Sequence, residues 1–171
     1  QSGVDQLLSY SASNESYTRY QIPVNAEQQV RSMGATIGLA YYINEKYSAS
    51  MNYNWAKLID DDLNDPIIPG FNTPEHKINV GIKGRKVWQG LGFAANFQWV
   101  DEFVWRSTFG DGIVPSYSFL DLQLSYDIPK WFSTLRLGVS NAYNLQRQEA
   151  YGAPRIGTMV YGSIVVDIKK L

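Results

Sequence analysis

The sequence predicts an all-β fold in which antiparallel strands form the wall of an up-and-down transmembrane β-barrel. Apolar and polar residues alternate with a period of two in seven segments, and no stretch shows comparable helical periodicity. With the residues that flank their alternating cores, the segments run roughly 10 to 14 residues, which suits the roughly 9 to 11 that a tilted strand needs to cross a bilayer. Short and long connections alternate between them, as short periplasmic turns and long extracellular loops do in outer-membrane barrels.

The first predicted strands follow a polar leading segment. Residues 1–16 are polar and serine-rich, which predicts a loop, and a short strand is expected at 17–23. The alternation becomes persistent over residues 33–41. After the short connection 44–46 it resumes over 47–55, so these two segments predict a β-hairpin.

The remaining five strands alternate in the same way. We expect them at 77–83, 91–99, 120–127, 134–140 and 160–168. Short turns are expected near 88–90 and at 129–130, and long loops at 58–73, 106–115 and 143–154. With the short strand at 17–23, the chain therefore supplies about seven or eight strands.

Composition excludes several other classes of protein. The formal net charge of -1 gives no basic patch for nucleic acid, so no nucleic-acid partner is expected. The chain has no cysteine, which excludes disulfides and thiolate metal sites. No apolar run approaches the roughly 18 to 20 residues of a membrane-spanning helix.

A soluble antiparallel sheet would show the same alternation, because one of its faces is buried and the other is wet. Aromatic placement and the unequal loops favour the membrane barrel instead. Aromatic side chains lie near the ends of the predicted strands, where their rings suit the headgroup region: Tyr41, Tyr47, Trp55, Trp88, Trp99, Tyr126 and Trp131. A sheet in hydrocarbon must also close, because open edges would leave backbone groups unpaired.

Five short segments resemble the C-terminal barrel region of TonB-dependent outer-membrane transporters of the Bacteroidota type. The matching segments are VRSMGA at 30–35, NTPEHK at 72–77, VPSY at 114–117 with LDL at 120–122, LGVSNAYN at 137–144 and YGAPRIG at 151–157. Their order and spacing cover about residues 17–171. The resemblance implies the C-terminal portion of a barrel of about 22 strands around a plug, with 1–16 as a leading loop and 17–171 as barrel.

The resemblance also implies a function and partners. A transporter of this family binds a nutrient ligand, whether small molecule, glycan or peptide, and imports it actively across the cell outer membrane. Its partners would be the lipid bilayer, the rest of the barrel with its plug, the TonB complex and a surface lipoprotein. The alternative is an autonomous eight-stranded outer-membrane barrel with a structural or adhesive role, since the length suits such a barrel.

Enzymatic activity is not expected, and neither is a cofactor. A barrel lipase or protease needs a nucleophile beside a base, and His76 is the single histidine. A histidine at a strand end near the membrane interface is the simpler interpretation. The acidic run 60–65 lacks the glycine and glutamate of an EF-hand loop, which favours a solvated loop over a calcium site.

Two of the predicted extracellular loops mix aromatic rings, arginine, carboxylate and amide groups. That mixture recognises ligands by stacking and hydrogen bonding, although ordinary loop packing also uses it. The candidate ligand-binding residues are Trp105, Arg106, Asp111, Tyr143, Asn144 and Arg147.

Overall fold

A computed structural model describes residues 2–11, 16–25, 31–59, 70–107, 110–146 and 148–167. In the first two ranges it describes the backbone. The strands are β1 Ser2–Ser11, β2 Ser16–Asn25, β3 Ser32–Tyr42, β4 Tyr47–Leu58, β5 His76–Trp88, β6 Leu91–Val100, β7 Phe103–Ser107, β8 Gly110–Val114, β9 Tyr117–Ile128, β10 Ser133–Ser140 and β11 Met159–Val166. A 3-10 turn spans Pro129–Trp131.

Seven strands form one antiparallel sheet in the order β11-β10-β9-β6-β5-β4-β3. These are the seven alternating segments of the sequence, so the prediction of an all-β antiparallel fold is confirmed. Within the described residues the sheet is open, since β3 and β11 each pair on one side only. No helix among the described residues is long and apolar enough to cross a membrane.

The register gives the sheet one apolar face. Leu39, Met51, Val80, Phe97 and Leu120 lie opposite one another in a continuous row across β3, β4, β5, β6 and β9. Side chains directly opposite in an antiparallel pair share a face. The predicted alternation therefore holds across strands as well as along them.

The other face is polar. One residue away from the apolar row, Gly38, Asn52, Asn79 and Gln98 lie opposite one another. A slip of one residue in any strand would exchange the two faces, so the apolar pattern fixes the register.

The apolar face is largely uncovered. Leu39 is 64% exposed and Val160 79% exposed, whereas the buried apolar side chains among the described residues are Val100, Val114 and Phe119. A soluble domain buries the apolar face of its sheet in a core. This face is instead a large apolar surface, which requires an apolar environment.

Short turns join the hairpins at one end of the sheet, which we call the turn end. At 43–46 the Asn44 side chain accepts hydrogen bonds from the backbone N–H groups of Lys46 and Tyr47, both at 2.9 Å. Gln89 and Gly90 both have positive φ, 44° and 87°, the requirement of the tight turn that matches strand twist. The 3-10 turn joins β9 to β10. All three short connections are confirmed.

Long connections leave the opposite end, which we call the loop end. They are loop A (59–75), loop B (101–116) and loop C (141–158), and residues 60–69 of loop A are not among those described. The predicted alternation of short and long connections is confirmed. The acidic run 60–65 lies outside the described residues.

Two segments that the sequence predicted to be loops contain strands. Residues 1–16 contain β1, which pairs with β2 from Ser2 opposite Asn25 to Ser11 opposite Ser16. The frequent serines of this segment are typical of a loop, yet it forms a strand because its backbone pairs with that of β2. Loop B, expected to be irregular over 106–115, contains the β7–β8 hairpin, with Phe103 opposite Val114. Its strands have five residues each, too few for alternation to show them.

Candidate ligand-binding loops

The β7–β8 hairpin of loop B is fastened to loop A by one side chain. Asn72 donates from Nδ2 to the backbone oxygen of Arg106 at 2.9 Å, and its Oδ1 accepts from the backbone N–H of Arg106 at 2.7 Å. The amide therefore pairs with β7 as a peptide group of a neighbouring strand would. Asn72 has a φ of 46°, a conformation that asparagine tolerates better than most residues.

Three predicted ligand-binding residues lie in this hairpin. Arg106 lies opposite Asp111 in the register, and the Asp111 carboxylate accepts a hydrogen bond from the backbone N–H of Ser107 at 3.1 Å. The Trp105 ring meets the edge of Phe103, with centroids 6.4 Å apart. Trp105 and Arg106 are half-buried and Asp111 is exposed. The Arg106 side chain is not needed for the contact with Asn72, which uses the backbone.

Loop C is organised around Asn141, which is completely buried. Its Nδ2 donates to the carbonyl of Leu145 at 2.8 Å and to that of Ile156 at 3.3 Å. The hydroxyl of Thr158 donates to the Asn141 carbonyl at 2.8 Å. One amide thus connects the beginning, middle and end of the loop. Its Oδ1 has no hydrogen-bond partner among the described residues.

The start of loop C is anchored to the sheet by a carboxylate. Asp121 in β9 accepts hydrogen bonds at the same oxygen from the Ser140 hydroxyl, at 2.7 Å, and from the Asn141 backbone N–H, at 2.9 Å. The Ala142 N–H donates to the Leu120 carbonyl at 2.8 Å. Loop C therefore continues beside β9 beyond the end of β10.

Two further predicted ligand-binding residues lie in loop C. Tyr143 is 55% exposed. Asn144 has a φ of 52°, and its Oδ1 accepts from the Thr158 N–H at 3.2 Å, so its side chain helps to shape the loop. Arg147 lies outside the described residues.

Loops B and C touch each other through a tyrosine and a glycine. The ring of Tyr151 in loop C lies directly over Gly112 in β8, where a Cβ atom would collide with the ring. The same ring passes 3.7 Å from the Cβ position of Gly110. Loops A, B and C are therefore mutually connected, through Asn72 on one side of the hairpin and Tyr151 on the other. The two groups of predicted residues belong to one loop cluster.

Sequence reasoning missed a cavity of about 460 Å³ between the start of β9 and loop C. It is lined by Trp99, Pro115, Ser116, Tyr117, Ser118, Leu145, Gln146, Gln148 and Arg155. Loop C was suspected because of its amides. The sequence did not suggest Trp99, Tyr117 and Arg155 as cavity residues, because they come together only when β9 pairs with β6 and loop C folds back beside them.

A network of aromatic and charged groups borders loop A at the strand ends. Glu75 accepts from the Trp55 indole N–H at 3.2 Å and lies 3.7 Å from the Lys57 ammonium. The Tyr53 hydroxyl and His76 Nδ1 share a hydrogen bond of 2.8 Å. His76 begins β5, which confirms the expected strand-end histidine. Among the described residues, no group of three or more metal-ligating side chains occurs.

A sequence profile described as TonB dependent receptor-like, beta-barrel matches residues 4–145. The chain belongs to this family. The match begins within β1. The resemblance stated from the five segments is thereby confirmed at the level of the family, while the Bacteroidota type stays a prediction.

Two solved structures share the fold. The copper transporter OprC superposes with a TM-score of 0.67 at 15% identity, covering 95% of this chain and 27% of OprC. FpvA of P. aeruginosa, in a structure with bound pyoverdine and iron, gives 0.60 at 11% identity, covering 95% of this chain and 23% of FpvA. The chain thus spans about a quarter of the length of each. Among curated proteins, none matches the sequence.

Proposed function

We propose that this chain forms barrel wall and extracellular loops, in the C-terminal portion, of a TonB-dependent transporter of the cell outer membrane that binds a nutrient ligand and imports it. One observation carries the proposal: the seven-stranded sheet of a TonB-dependent receptor barrel leaves an apolar face exposed and gathers its long loops into one connected cluster. Lipid would cover the apolar face, and the polar face would line a lumen.

The open edges support a segment of a larger barrel. Each edge strand in hydrocarbon needs a partner for its backbone N–H and C=O groups, because each unpaired group costs several kcal/mol. In the described residues β3 and β11 do not pair with each other, which disfavours the autonomous eight-stranded barrel. The partners would be further barrel strands, a plug within the lumen, and the TonB complex that supplies energy; a surface lipoprotein could cover the loops.

The loop cluster is the proposed place of ligand recognition. Trp105 and Arg106 offer a ring and a guanidinium, and Asp111, Tyr143, Asn144 and Arg147 complete the proposed contact set. Asn72 holds the β7–β8 hairpin through the backbone N–H and C=O of Arg106, so the Arg106 side chain remains available to a ligand. The proposed role is binding and transport, without catalysis.

Uptake measurements test the function. A bacterium lacking its own copy would receive the full-length gene, and uptake of four labelled probes would be followed: a ferric siderophore, cobalamin, an oligosaccharide and a peptide. We expect one probe to be imported, and import to cease when TonB is deleted. Import that persists without TonB, or recovery of the protein in the soluble fraction, would overturn the proposal.

Matched variants test the loop assignment. Arg106→Gln should reduce binding of the imported probe by about tenfold, since hydrogen bonds to a charged group contribute about 1.5–3 kcal/mol. Arg85→Gln is the control, because Arg85 is exposed and lies near the turn end. Equal binding by both variants would remove Arg106 from the proposed contact set.

A further inference from the structure

A second cavity lies on the polar face of the sheet, towards the turn end. It is a basin of about 500 Å³ that extends from the β3–β4 turn across β5, β6 and β9 to β10. Its floor is low because the polar-face residues of β6 are small there: Ala94 lines the basin, and the next position towards the turn is Gly92. Longer side chains on the strands to either side form its walls.

Two cations flank this floor on the same face of the sheet. Lys83 of β5 lies opposite Ala94, and Arg136 of β10 lies opposite Ser125. Ala94 and Ser125 share the polar face, because the partner of Ala94 on β9 is Gln123, two residues from Ser125. Both cations line the basin and are exposed. Since β5 and β10 are three strand spacings apart, or about 14 Å, a ligand that meets both cations needs an anionic group on each side.

The carboxylates of β9 on this face already have partners. Asp127 lies 3.2 Å from the Lys86 ammonium, and Asp121 accepts its hydrogen bonds at the start of loop C. Within the described part of the chain, neither Lys83 nor Arg136 has a carboxylate within ion-pairing distance. Their charges are therefore available to an anion that enters the basin.

The neutral groups of the basin add hydrogen-bond donors. The Tyr161 hydroxyl donates to Oε1 of Gln123 at 3.2 Å, which leaves the Nε2 group of Gln123 as a donor. The Ser125 hydroxyl lines the basin beside it. Lys46 adds further positive charge, and Glu45 is the only carboxylate among the described residues of the lining. Positive charge together with N–H and O–H donors is what phosphate oxygens require.

We propose that the basin binds a small anion with two linked phosphate groups, one against Lys83 and the other against Arg136. Gln123 and Ser125 donate to the ligand from the floor. Arginine binds phosphate with two parallel hydrogen bonds, and lysine binds it as a point charge. The basin falls within the range of small-molecule sites, about 300–1,000 Å³, which favours a compact ligand over a protein segment. This inference rests on the proposed lumen, but neither on the loop cluster nor on import of a nutrient.

Calorimetric titration of the full-length protein tests the proposal. The protein would be purified in a neutral detergent, and pyrophosphate and orthophosphate would be titrated at the same ionic strength. We expect pyrophosphate to bind at least about tenfold more tightly, because its second phosphate adds charge-assisted hydrogen bonds. Uridine diphosphate distinguishes two sources of the group: tighter binding than that of pyrophosphate indicates a diphosphate ester, and weaker binding indicates the free anion.

Variants matched in charge locate the site. Lys83→Gln and Arg136→Gln should each weaken pyrophosphate binding about tenfold, since each removes a charged donor. Lys77→Gln, on the same face of β5 but about 20 Å from Lys83, should leave the affinity within about a factor of two. Ala94→Glu puts a carboxylate on the floor and should abolish binding. Gln98→Glu adds the same charge to the polar face of β6 about 13 Å away, and should weaken binding by less than about threefold.

Several results would overturn the inference. Equal affinity for pyrophosphate and orthophosphate would refute a site for two phosphates, and undiminished binding by Lys83→Gln or Arg136→Gln would place the anion elsewhere. Tighter binding of an acidic peptide, hexaglutamate, than of pyrophosphate would assign the basin to a protein segment. Folding of each variant is checked by its shift on unheated gels. Pyrophosphate binding without nutrient uptake would leave this inference standing while the proposed transport function fails, and uptake without pyrophosphate binding would do the reverse.

Discussion

Replacing Asn141 by alanine should loosen loop C without unfolding the wall. The change removes two hydrogen bonds to the carbonyls of Leu145 and Ile156, worth about 1 kcal/mol each. It also puts alanine at a φ of 54°, a left-handed conformation that asparagine visits but that costs alanine about 1–2 kcal/mol. Removal of the unpartnered Oδ1 returns about 1 kcal/mol. The net loss is about 2–3 kcal/mol.

Amide hydrogen exchange of the full-length protein in detergent measures this loss. An opening free energy that falls by about 2–3 kcal/mol raises exchange about 30- to 140-fold, at about 1.4 kcal/mol per factor of ten. We expect the increase in residues 142–158. Amides of β5 and β6 serve as the internal reference, because the hydrogen bonds of Asn141 described above go to β9 and to loop C.

A second variant separates the two causes. Asn141→Gly loses the same side-chain bonds but adopts positive φ freely, so its effect should be smaller by about 1 kcal/mol. Exchange in loop C that changes by less than about threefold in Asn141→Ala would refute the reasoning, since about 0.6 kcal/mol is no more than a surface change. So would an equal rise in loop C and in β5, which would indicate global destabilisation.

Three other changes have outcomes that the structure specifies. Val80→Arg on the apolar face should lower the free energy of unfolding in lipid by about 2–4 kcal/mol, measured by urea titration of unheated gel shifts. The adjacent Asn79→Arg on the polar face should be tolerated, and equal effects of the two changes would contradict the assignment of faces. Gly112→Val should displace Tyr151, giving faster proteolysis of loop C, and Tyr151→Ala should restore the space and abolish the difference between glycine and valine. Asn72→Ala should lower the free energy of opening of the β7–β8 hairpin by about 2 kcal/mol. Amide hydrogen exchange should therefore become faster in the hairpin but not in loop C.

The wall could be predicted from sequence because its constraints are local and repeated. Each strand alternates over many residues, and a shift of one position at any point, for example at Val80, would put polar Asn79 on the apolar face. The alternation therefore fixes both the strand and its register. The short turns could be predicted as the gaps between alternating segments, and at Gln89 and Gly90 the structure shows the two positive φ angles of a tight hairpin.

The loop cluster could not be predicted, because single long-range contacts determine it. Asn72 and Arg106 are 34 positions apart, and nothing in either loop marks the pairing of an amide with a strand. Asn141 resembles any polar residue after a strand until the carbonyls of loop C converge on it. The lesson is physical: a periodic pattern reports a repeated environment, whereas a contact made once leaves no pattern.

That contrast also separates what the sheet requires of its residues from what the loop end requires. Backbone pairing in the seven-stranded sheet needs side chains only to be apolar on one face and polar on the other, so many residues can occupy positions such as Leu39 or Asn52. The loop end needs particular residues, since only glycine at 112 admits the Tyr151 ring and an amide at 72 can pair with β7 on both sides. If the loop cluster is the ligand site proposed above, substitutions that alter recognition should concentrate in loops held by Asn72, Gly112 and Asn141, while the wall retains its alternation.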